Sequence, residues 1–266
     1  MVKNVMYLSP HLDDAVLSCG GLIHRQTNSG TAVLVVTVFA GAPSGSELSD
    51  FAAALQADWG HLSDPVSVRR QEDEQATRLL GAAHLHLDYP DAVYRSDDNS
   101  FLYLCDEALF GTPHPSDFKL ISQITEDITE VHSPLEATLY APLAVGGHVD
   151  HQLLRDATLT MYRRSYEVIF YEDYPYVEVP GALTRELARI GIGRWTEEVA
   201  ELDEQDLALK TDAIAAYKSQ MATVFGGAKT MAQRVRDYAL ALDPGHRPAE
   251  RYWRLSSDVK AAKGSR

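Results

Sequence analysis

Apolar runs of strand length alternate with helix-length segments over most of this chain. Residues 4–9 and 32–39 are predicted strands, and a helix predicted over 15–29 between them completes a βαβ unit. The same alternation continues with a helix at 66–80, a strand at 84–88, a helix at 116–130, a strand at 137–141, a helix at 150–164 and a strand at 167–171. Strands that alternate with helices build a parallel sheet covered on both faces. The predicted fold class is therefore α/β, a Rossmann-like three-layer αβα architecture with a mostly parallel sheet.

The length and composition are sufficient for a sizeable core, since 45% of the 266 residues are hydrophobic. We expect a single domain over 1–266 with a largely helical C-terminal part from about residue 200, where 203–241 is predicted to form one or two helices. Cys19 and Cys105 lie far apart and lack Cys-x-x-Cys spacing. Neither a disulfide framework nor a thiolate zinc site is therefore indicated.

The chain is acidic, with 38 acidic against 24 basic residues and a formal net charge of -14. Such a charge repels phosphate backbones and anionic lipid surfaces, so neither nucleic acid nor a membrane is an expected partner. No apolar run approaches the roughly 20 residues of a spanning helix, and the N-terminus lacks a basic region followed by an apolar signal core. We expect a cytoplasmic location, and the oligomeric state stays open, a homo-oligomer included.

Two motifs rich in histidine and aspartate follow predicted strands. The first, after strand 4–9, contains His11, Asp13 and Asp14, and the second, after strand 137–141, contains His148, Asp150 and His151. In open parallel sheets, ligands bind outside the carboxyl ends of the strands. Imidazoles and carboxylates are costly to bury there unless a metal or a substrate compensates their charge. The two motifs are therefore predicted to converge on one mononuclear metal site.

The residue types and their spacing suggest how such a site is built. His11 and Asp14 are three residues apart at a strand-to-helix junction, and both can bind one cation. With His151 as a third ligand, a zinc ion keeps its fourth position open, as hydrolytic sites require. Asp13 is then free to act as the general base, and His148 to reach the oxyanion or the leaving amine. Iron(II) or another divalent ion also fits two histidines and one carboxylate.

The same residues also allow structural explanations. Asp13 or Asp14 could cap a helix beginning near Ala15, a common role for aspartate at that position. His148 and His151 could lie one turn apart on a polar, solvent-facing helix surface. Each explanation accounts for one motif alone, whereas a metal site accounts for both.

Other candidate residues carry weaker signals. Arg69 could contact a substrate hydroxyl or pair with Glu72 on a helix surface. Asp88 follows a predicted strand, where it could hydrogen-bond a sugar or begin a turn. Three tyrosines could either pack in the core or stack on a sugar, namely Tyr171, Tyr174 and Tyr176. A structural role is expected for three histidines, His24, His84 and His86.

The two histidine motifs resemble the PIG-L/LmbE family of zinc-dependent N-acetylglucosaminyl deacetylases. The family hallmarks are His-Pro-Asp-Asp-Glu near the N-terminus and a later His-x-Asp-His, which correspond here to 11–15 and 148–151. Three further segments are similar: an Arg-x-x-Glu helix at 69–72, a tyrosine-rich segment at 171–176, and a Lys-x-x-Ala and Ser-Gln pattern within 210–220. The resemblance covers roughly residues 4 to 221, and its ordered spacing makes it more specific than any one motif.

The resemblance implies an enzyme that removes the acetyl group from an N-acetylated amino sugar of N-acetylglucosamine type, or from a related conjugate, releasing acetate and a free amine. It implies the metal ligands His11, Asp14 and His151, the base Asp13, and His148 as the group that stabilises the tetrahedral intermediate. We also expect three residues to contact the small-molecule substrate, namely Arg69, Asp88 and Asp150.

This chain departs from the family pattern at three positions. Leu12 replaces the usual proline, Ala15 the usual glutamate, and Tyr217 stands where many relatives have histidine. None of the three is an implied ligand, but the missing carboxylate at Ala15 can alter hydrogen bonding around the metal. A non-catalytic or redirected member that binds a sugar-like ligand is the alternative. Substrate specificity is expected to lie in segments 41–65 and 89–115.

Overall fold

A seven-stranded sheet forms the centre of the protein. The computed structural model describes residues 4–43, 45, 47–60, 64–97, 100–131, 137–191 and 193–256. The strands are β1 (Asn4–Ser9), β2 (Ala32–Thr37), β3 (Ala83–His86), β4 (Ser96–Asp97), β5 (Ser100–Phe101), β6 (Ala137–Pro142), β7 (Glu167–Tyr171), β8 (Trp195–Glu201) and β9 (Ala249–Leu255). The order in the sheet is β3-β2-β1-β6-β7-β9-β8, and β4 and β5 form a separate hairpin. The first five sheet strands run parallel, and β9 and β8 are added antiparallel.

Helices cover both faces of this sheet. They are α1 (Asp14–Asn28), α2 (Asp50–Asp58), α3 (Pro65–Leu79), α4 (Asp106–Leu109), α5 (Phe118–Val131), α6 (Val149–Arg163), α7 (Ala182–Ile190), α8 (Glu204–Ile214), α9 (Met221–Phe225) and α10 (Ala228–Ala241). Residues of β1 alternate between two cores, because successive side chains of a strand point to opposite faces. Val5 and Tyr7 join the core with α1, α3, α8 and α10, while Met6 and Leu8 join the core with α5 and α6. The predicted three-layer αβα class is confirmed.

The C-terminal part differs in detail from the expectation. The segment predicted as one or two helices forms three, α8, α9 and α10, and the chain then returns to the sheet as β9. β9 pairs with β7 on one side and with β8 on the other, so the C-terminal part completes the sheet as well as covering it. Among the described residues, none of the helices is both long enough and apolar enough to cross a membrane.

Candidate metal centre

A tight turn places the first motif at the carboxyl end of β1. The Ser9 hydroxyl donates to the His11 carbonyl at 2.7 Å and accepts from the Ala15 amide at 2.9 Å. The Asp13 side chain makes no capping hydrogen bond to the helix, although its residue is the N-cap of α1. The capping explanation therefore fails for Asp13, while Asp14 Oδ2 accepts from the His11 backbone amide, which precedes the helix, at 2.8 Å. Both aspartates line a cavity.

The second motif follows β6 through a turn with left-handed backbone. Gly146 has φ 97° and Gly147 has φ 82°, values that favour glycine. A Cβ on Gly146 would lie 2.8 Å from the Tyr176 ring, so this position also needs a residue without a side chain. The turn ends at His148, the N-cap of α6, and leaves His148 and His151 buried. The alternative of a solvent-facing polar helix surface is therefore excluded.

The two motifs meet at one carboxylate oxygen. Asp14 Oδ2 lies 3.2 Å from His11 Nδ1 and 3.2 Å from His151 Nε2. Ligand atoms bound to one tetrahedral zinc at about 2.0 Å are separated by roughly 3.3 Å. His151 Nε2 is buried and has no hydrogen-bond partner in the described structure, despite its closeness to Asp14. These three residues fit a divalent cation, and a cation would satisfy that nitrogen.

Each of the two imidazoles uses its other nitrogen to donate to a buried carboxylate. His11 Nε2 lies 2.9 Å from Asp150 Oδ2, and His151 Nδ1 lies 2.6 Å from Asp173 Oδ1. This arrangement leaves His11 Nδ1 and His151 Nε2 as the nitrogens that face Asp14. Metal-binding histidines commonly donate their other N–H to a carboxylate, which fixes the ring orientation and strengthens the ligand. The second contact of each ring therefore supports the same ligand set.

Asp173→Asn is expected to weaken metal affinity by about 10- to 100-fold, because the amide oxygen still accepts from His151 but no longer carries charge. Competition with a chromophoric chelator measures the dissociation constant directly. Asp206→Asn is the matched control, since Asp206 makes a similar buried contact of 2.7 Å with His24, outside the cavity. Equal affinity in the two variants would show that Asp173 has no specific effect on the metal.

His148 lies beside the same centre, but its hydrogen bond and its protonation state differ from those of His11 and His151. Its ring centroid lies 4.7 Å from that of His11 and 5.3 Å from that of His151, and the three histidines place nitrogens within 4.8 Å of one another. However, His148 Nδ1 accepts from the Asp150 backbone amide at 3.2 Å. The neutral ring then carries its proton on Nε2, which makes that nitrogen a donor and not a metal ligand. Burial, reinforced by the charge on His11, lowers the pKa of His148 well below its ordinary value, so this ring is neutral.

A second group of close atoms combines His11 and His148 with Asp91 and Asp150. Asp150 is already in ion-pair contact with Arg95 at 2.6 Å and accepts from His11 and from the Ala92 amide. The positive charge of Arg95 opposes a cation at this position. The group that includes Asp14 is therefore the better cation site.

Asp13 and Asp14 are neighbours with opposite electrostatics. Burial and the adjacent Asp14 raise the pKa of Asp13 to about 7. Burial alone would also raise the pKa of Asp14, but the contacts with His151 and His11 outweigh it and hold the value well below the ordinary range. Asp14 is therefore the permanently charged member of the pair. Asp13 faces the cavity, and its raised pKa means that its carboxylate binds a proton more readily than that of Asp14.

Arg69 lies beside Asp13 and not on the helix surface. Its Nη2 is 3.7 Å from Asp13 Oδ2, and its guanidinium stacks over the Trp59 ring at 4.8 Å from the centroid. Glu72 instead accepts from the amide and hydroxyl of Ser219, so the predicted alternative of an Arg69–Glu72 ion pair is wrong. Arg69 Nε has no hydrogen-bond partner in the described structure. The side chain is buried, stacked and incompletely paired, as expected of a group that receives a substrate.

A cavity of about 380 Å³ opens above these groups. Its polar lining consists of His11, Asp13, Asp14, Arg69, Asp91, Asp106, His148, Gln220 and Thr223. Its apolar lining consists of Leu17, Leu55, Trp59, Val93, Leu109, Phe110, Pro175, Tyr176 and Val224. A cavity that combines an apolar wall with convergent polar groups is a usual form of a small-molecule site. Residues of segments 41–65 and 89–115 provide much of the wall, where specificity was expected.

Two of the predicted substrate-contacting residues do not line this cavity. The Asp88 side chain is 86% exposed and pairs with Arg70 at 2.5 Å. Asp150 is fully buried behind His11. Asp88 therefore forms a surface ion pair, Asp150 lies behind His11, and neither lines the cavity above the metal centre.

Several residues of the centre were not singled out from the sequence as site residues. Asp173 follows β7 at the same edge of the sheet, and its sequence signals were this position after a strand and its place in the family-like segment 171–176. Asp91 lies in a turn and has no comparable motif. Tyr176 lines the cavity, with its ring centroid 5.9 Å from that of His151, whereas Tyr171 and Tyr174 are buried in the core. Of the tyrosines that could stack on a sugar, Tyr176 alone has the position to do so.

The histidines expected to be structural form pairs away from the cavity. His24 Nδ1 lies 2.7 Å from Asp206 Oδ1, and His86 Nε2 lies 2.8 Å from Asp73 Oδ2. Tyr217 donates to the other oxygen of Asp73 at 2.7 Å. Tyr217 therefore serves the buried polar network around Asp73 and does not line the cavity.

A buried centre of two histidines and one carboxylate, open to a cavity at the carboxyl edge of a parallel sheet, defines a metal-dependent hydrolase. Comparison with known proteins gives the family. The family model described as PIG-L, GlcNAc-PI de-N-acetylase, matches residues 6–162, and the chain belongs to this family.

Individual relatives agree with the family. The 2'-N-acetylparomamine deacetylase of Niallia circulans is 29% identical over 235 residues, which cover 83% of this chain and 82% of the relative. The zinc-inhibited form of teicoplanin deacetylase Orf2 superposes with a TM-score of 0.81 at 27% identity, over 96% of this chain and 99% of that one. The A40926 pseudoaglycone deacetylase Dbv21 superposes with a TM-score of 0.75 at 29% identity, over 96% and 97% of the two chains. The protein is a metal-dependent N-deacetylase, as the motifs predicted.

Proposed function

We propose that this protein removes the acetyl group from an N-acetylglucosamine-type unit within a larger glycoconjugate, with His11, Asp14 and His151 as the metal ligands. The observation that carries the proposal is the position of Asp14 Oδ2, 3.2 Å from His11 Nδ1 and 3.2 Å from His151 Nε2. The carboxylate partners of the two imidazoles support it, because they direct these two nitrogens toward Asp14.

Zinc is the proposed ion. Two imidazole nitrogens and one carboxylate oxygen are a usual set for catalytic zinc, which keeps one further position for water or substrate. When bound, the cation supplies Lewis acidity toward the amide carbonyl and the attacking water. Iron(II) accepts the same ligands, and one relative was solved in a zinc-inhibited form, so the identity of the metal is part of the test.

Asp13 is the proposed general base. It lines the cavity beside Asp14, makes no capping hydrogen bond, and has a pKa of about 7 because it is buried next to another carboxylate. A carboxylate beside the proposed cation can take a proton from the attacking water. It then returns this proton to the departing nitrogen. The water oxygen forms the new bond to the acetyl carbon, the C–N bond breaks, and acetate and a free amine leave.

His148 is the proposed donor to the carbonyl oxygen. Its neutral ring keeps the proton on Nε2 because Nδ1 accepts from the Asp150 amide. A fixed donor stabilises the oxygen that gains negative charge in the tetrahedral intermediate. The rings of His148 and Phe110 pack at right angles, with centroids 5.3 Å apart, which restricts the orientation of the donor ring.

The sugar is proposed to bind between Arg69 and the aromatic wall of the cavity. Arg69 has an unpaired Nε and stacks on Trp59, and Tyr176 lies beside the metal-binding histidines. Arginine can donate to sugar hydroxyls, and aromatic faces pack against the apolar faces of sugar rings. Relatives whose names specify N-acetylparomamine, teicoplanin and A40926 pseudoaglycone support a glycoconjugate and not a free sugar.

The proposal is tested by acetate release from chelator-stripped protein after reconstitution with zinc, iron(II) or no metal. Suitable substrates are 2'-N-acetylparomamine, an aryl glycoside of N-acetylglucosamine and free N-acetylglucosamine. We expect metal-dependent acetate release, faster from the two conjugates than from the free sugar. A folded, metal-loaded protein that binds these sugars without releasing acetate would instead support the ligand-binding alternative.

A further inference from the structure

Arg95 lies behind the metal centre and does not line the cavity. It is 6% exposed, and its Nη1 is 2.6 Å from Asp150 Oδ1. On its other side, Nε donates to Asp117 Oδ2 at 3.0 Å. The guanidinium lies between two aromatic rings, 5.2 Å from the Phe39 centroid and 5.4 Å from the Tyr103 centroid. Two carboxylates and two rings therefore hold this side chain in one orientation.

Asp150 connects Arg95 to His11. One of its oxygens, Oδ1, contacts Arg95, while Oδ2 lies 2.9 Å from His11 Nε2 and accepts from the Ala92 amide at 3.0 Å. Its side chain is fully buried, so water does not compensate its charge. Of the arginines and lysines among the described residues, Arg95 alone is in ion-pair contact with Asp150. Oδ2 is thus directed toward His11 by hydrogen bonds, whereas Oδ1 is held by the ion-pair contact with Arg95 and has no hydrogen-bond partner in the described structure.

Asp117 anchors the outer side of Arg95. It is buried and accepts from the Tyr103 hydroxyl at 2.7 Å in addition to Arg95. The chain of contacts therefore runs from Tyr103 and Asp117 through Arg95 and Asp150 to His11. Each link is buried, and a buried charged contact is costly to break because it leaves an uncompensated charge.

We propose that Arg95 is a positioning residue for the metal ligand His11 and acts through Asp150. This inference rests on the proposed ligand set. Arg95 fixes the Asp150 carboxylate so that Oδ2 accepts from His11 Nε2, which aims His11 Nδ1 at the cation. Without Arg95, Asp150 loses the partner of Oδ1, and the orientation of His11 is no longer enforced.

Arg155 provides a matched control. It is also a buried arginine held by two carboxylates, Asp156 and Glu186, but it lies outside the cavity above the metal centre and touches none of the proposed metal ligands. Arg95→Met and Arg155→Met each replace a buried, ion-paired arginine with an apolar side chain of similar length. The two variants therefore separate the general cost of losing a buried arginine from a specific effect on the metal.

The experiment measures the zinc dissociation constant of apo protein by competition with a chromophoric chelator, together with the melting temperature of each variant. We expect Arg95→Met to weaken zinc affinity by about 10- to 100-fold. Arg155→Met is expected to lower the melting temperature without changing zinc affinity. Arg95→Lys keeps the charge but not the planar fork, so it should recover part of the affinity.

Wild-type zinc affinity in folded Arg95→Met, or an equal loss in Arg155→Met, would overturn the inference while leaving the proposed ligand set intact. Absence of zinc binding by the wild-type protein would overturn both. If Arg95→Met does not fold, Asp117→Asn replaces it, because the change removes the charge of the outer anchor and keeps an acceptor for Tyr103. That variant should bind zinc about 10-fold more weakly, and unchanged affinity would contradict the role of Arg95.

Discussion

Asp13→Asn is expected to retain bound metal and to lose turnover by about two or more orders of magnitude, the usual contribution of a general base. Asparagine preserves the size of the side chain in the buried turn but cannot accept a proton from water. Asp13 is not among the proposed metal ligands, so the cation should stay. Metal content per chain, measured beside steady-state acetate release from an N-acetylated glycoconjugate, gives both quantities for the same sample.

The neighbouring carboxylate provides the control. Asp14→Asn removes the negative charge of the carboxylate whose Oδ2 lies 3.2 Å from both His11 Nδ1 and His151 Nε2, so this variant should lose metal and turnover together. The base assignment is wrong if Asp13→Asn keeps wild-type turnover. If Asp13→Asn loses metal as readily as Asp14→Asn, the two carboxylates do not have the separate roles proposed here.

Four of the five parallel strands were predictable because they are largely buried on both faces. β1, β2, β6 and β7 appear in the sequence as continuous apolar runs, which is typical of parallel strands between two helical layers. β8 and β9 carry no such signal. β8 contains three glutamates among its seven residues and lies at the edge of the sheet, where charged side chains face solvent. Its identity as a strand depends on its pairing with β9, a contact between segments far apart in the chain.

The approximate location of the site followed from topology, whereas the roles of single residues depended on local geometry. The structure brings His11, Asp14 and His151 together because β1 and β6 are adjacent parallel strands that end at the same edge. Their roles as ligands stay predictions. The rule that ligands bind at this edge also pointed to Asp88. It does not specify side-chain direction, and Asp88 points to solvent beside Arg70.

The residues around the metal centre show a second limit of prediction from sequence. Asp150 appears in the sequence as part of a metal motif, but its burial and its contact with Arg95 are visible only in the folded chain. Arg95 has no motif, and Asp173 appears only within the tyrosine-rich segment 171–176, because the effect of each depends on meeting a histidine from another segment. Sequence spacing can therefore identify the groups that bind a cation more readily than the groups that orient them.

His151→Ala is expected to reduce bound metal from about one ion per chain to nearly none and to abolish turnover. His151 is fully buried, and its Nε2 has no hydrogen-bond partner in the described structure. Removing the ring takes away one of three proposed ligands, and the remaining two cannot complete a tetrahedral protein site with one open position. Elemental analysis of protein purified without chelator measures the ion per chain and identifies it.

Loss of a buried ring can also destabilise the fold, so the comparison needs a variant that loses a similar buried ring away from the metal centre. His24→Ala removes a histidine that is similarly held by a buried aspartate, at 2.7 Å from Asp206, but lies in a different part of the core from the metal centre. A specific loss of metal in His151→Ala, with wild-type metal content in His24→Ala and similar melting temperatures, follows if His151 is a ligand. Equal metal content in the two variants would exclude His151 and move the cation to a group that includes His148, whose nitrogen lies within 4.8 Å of His11.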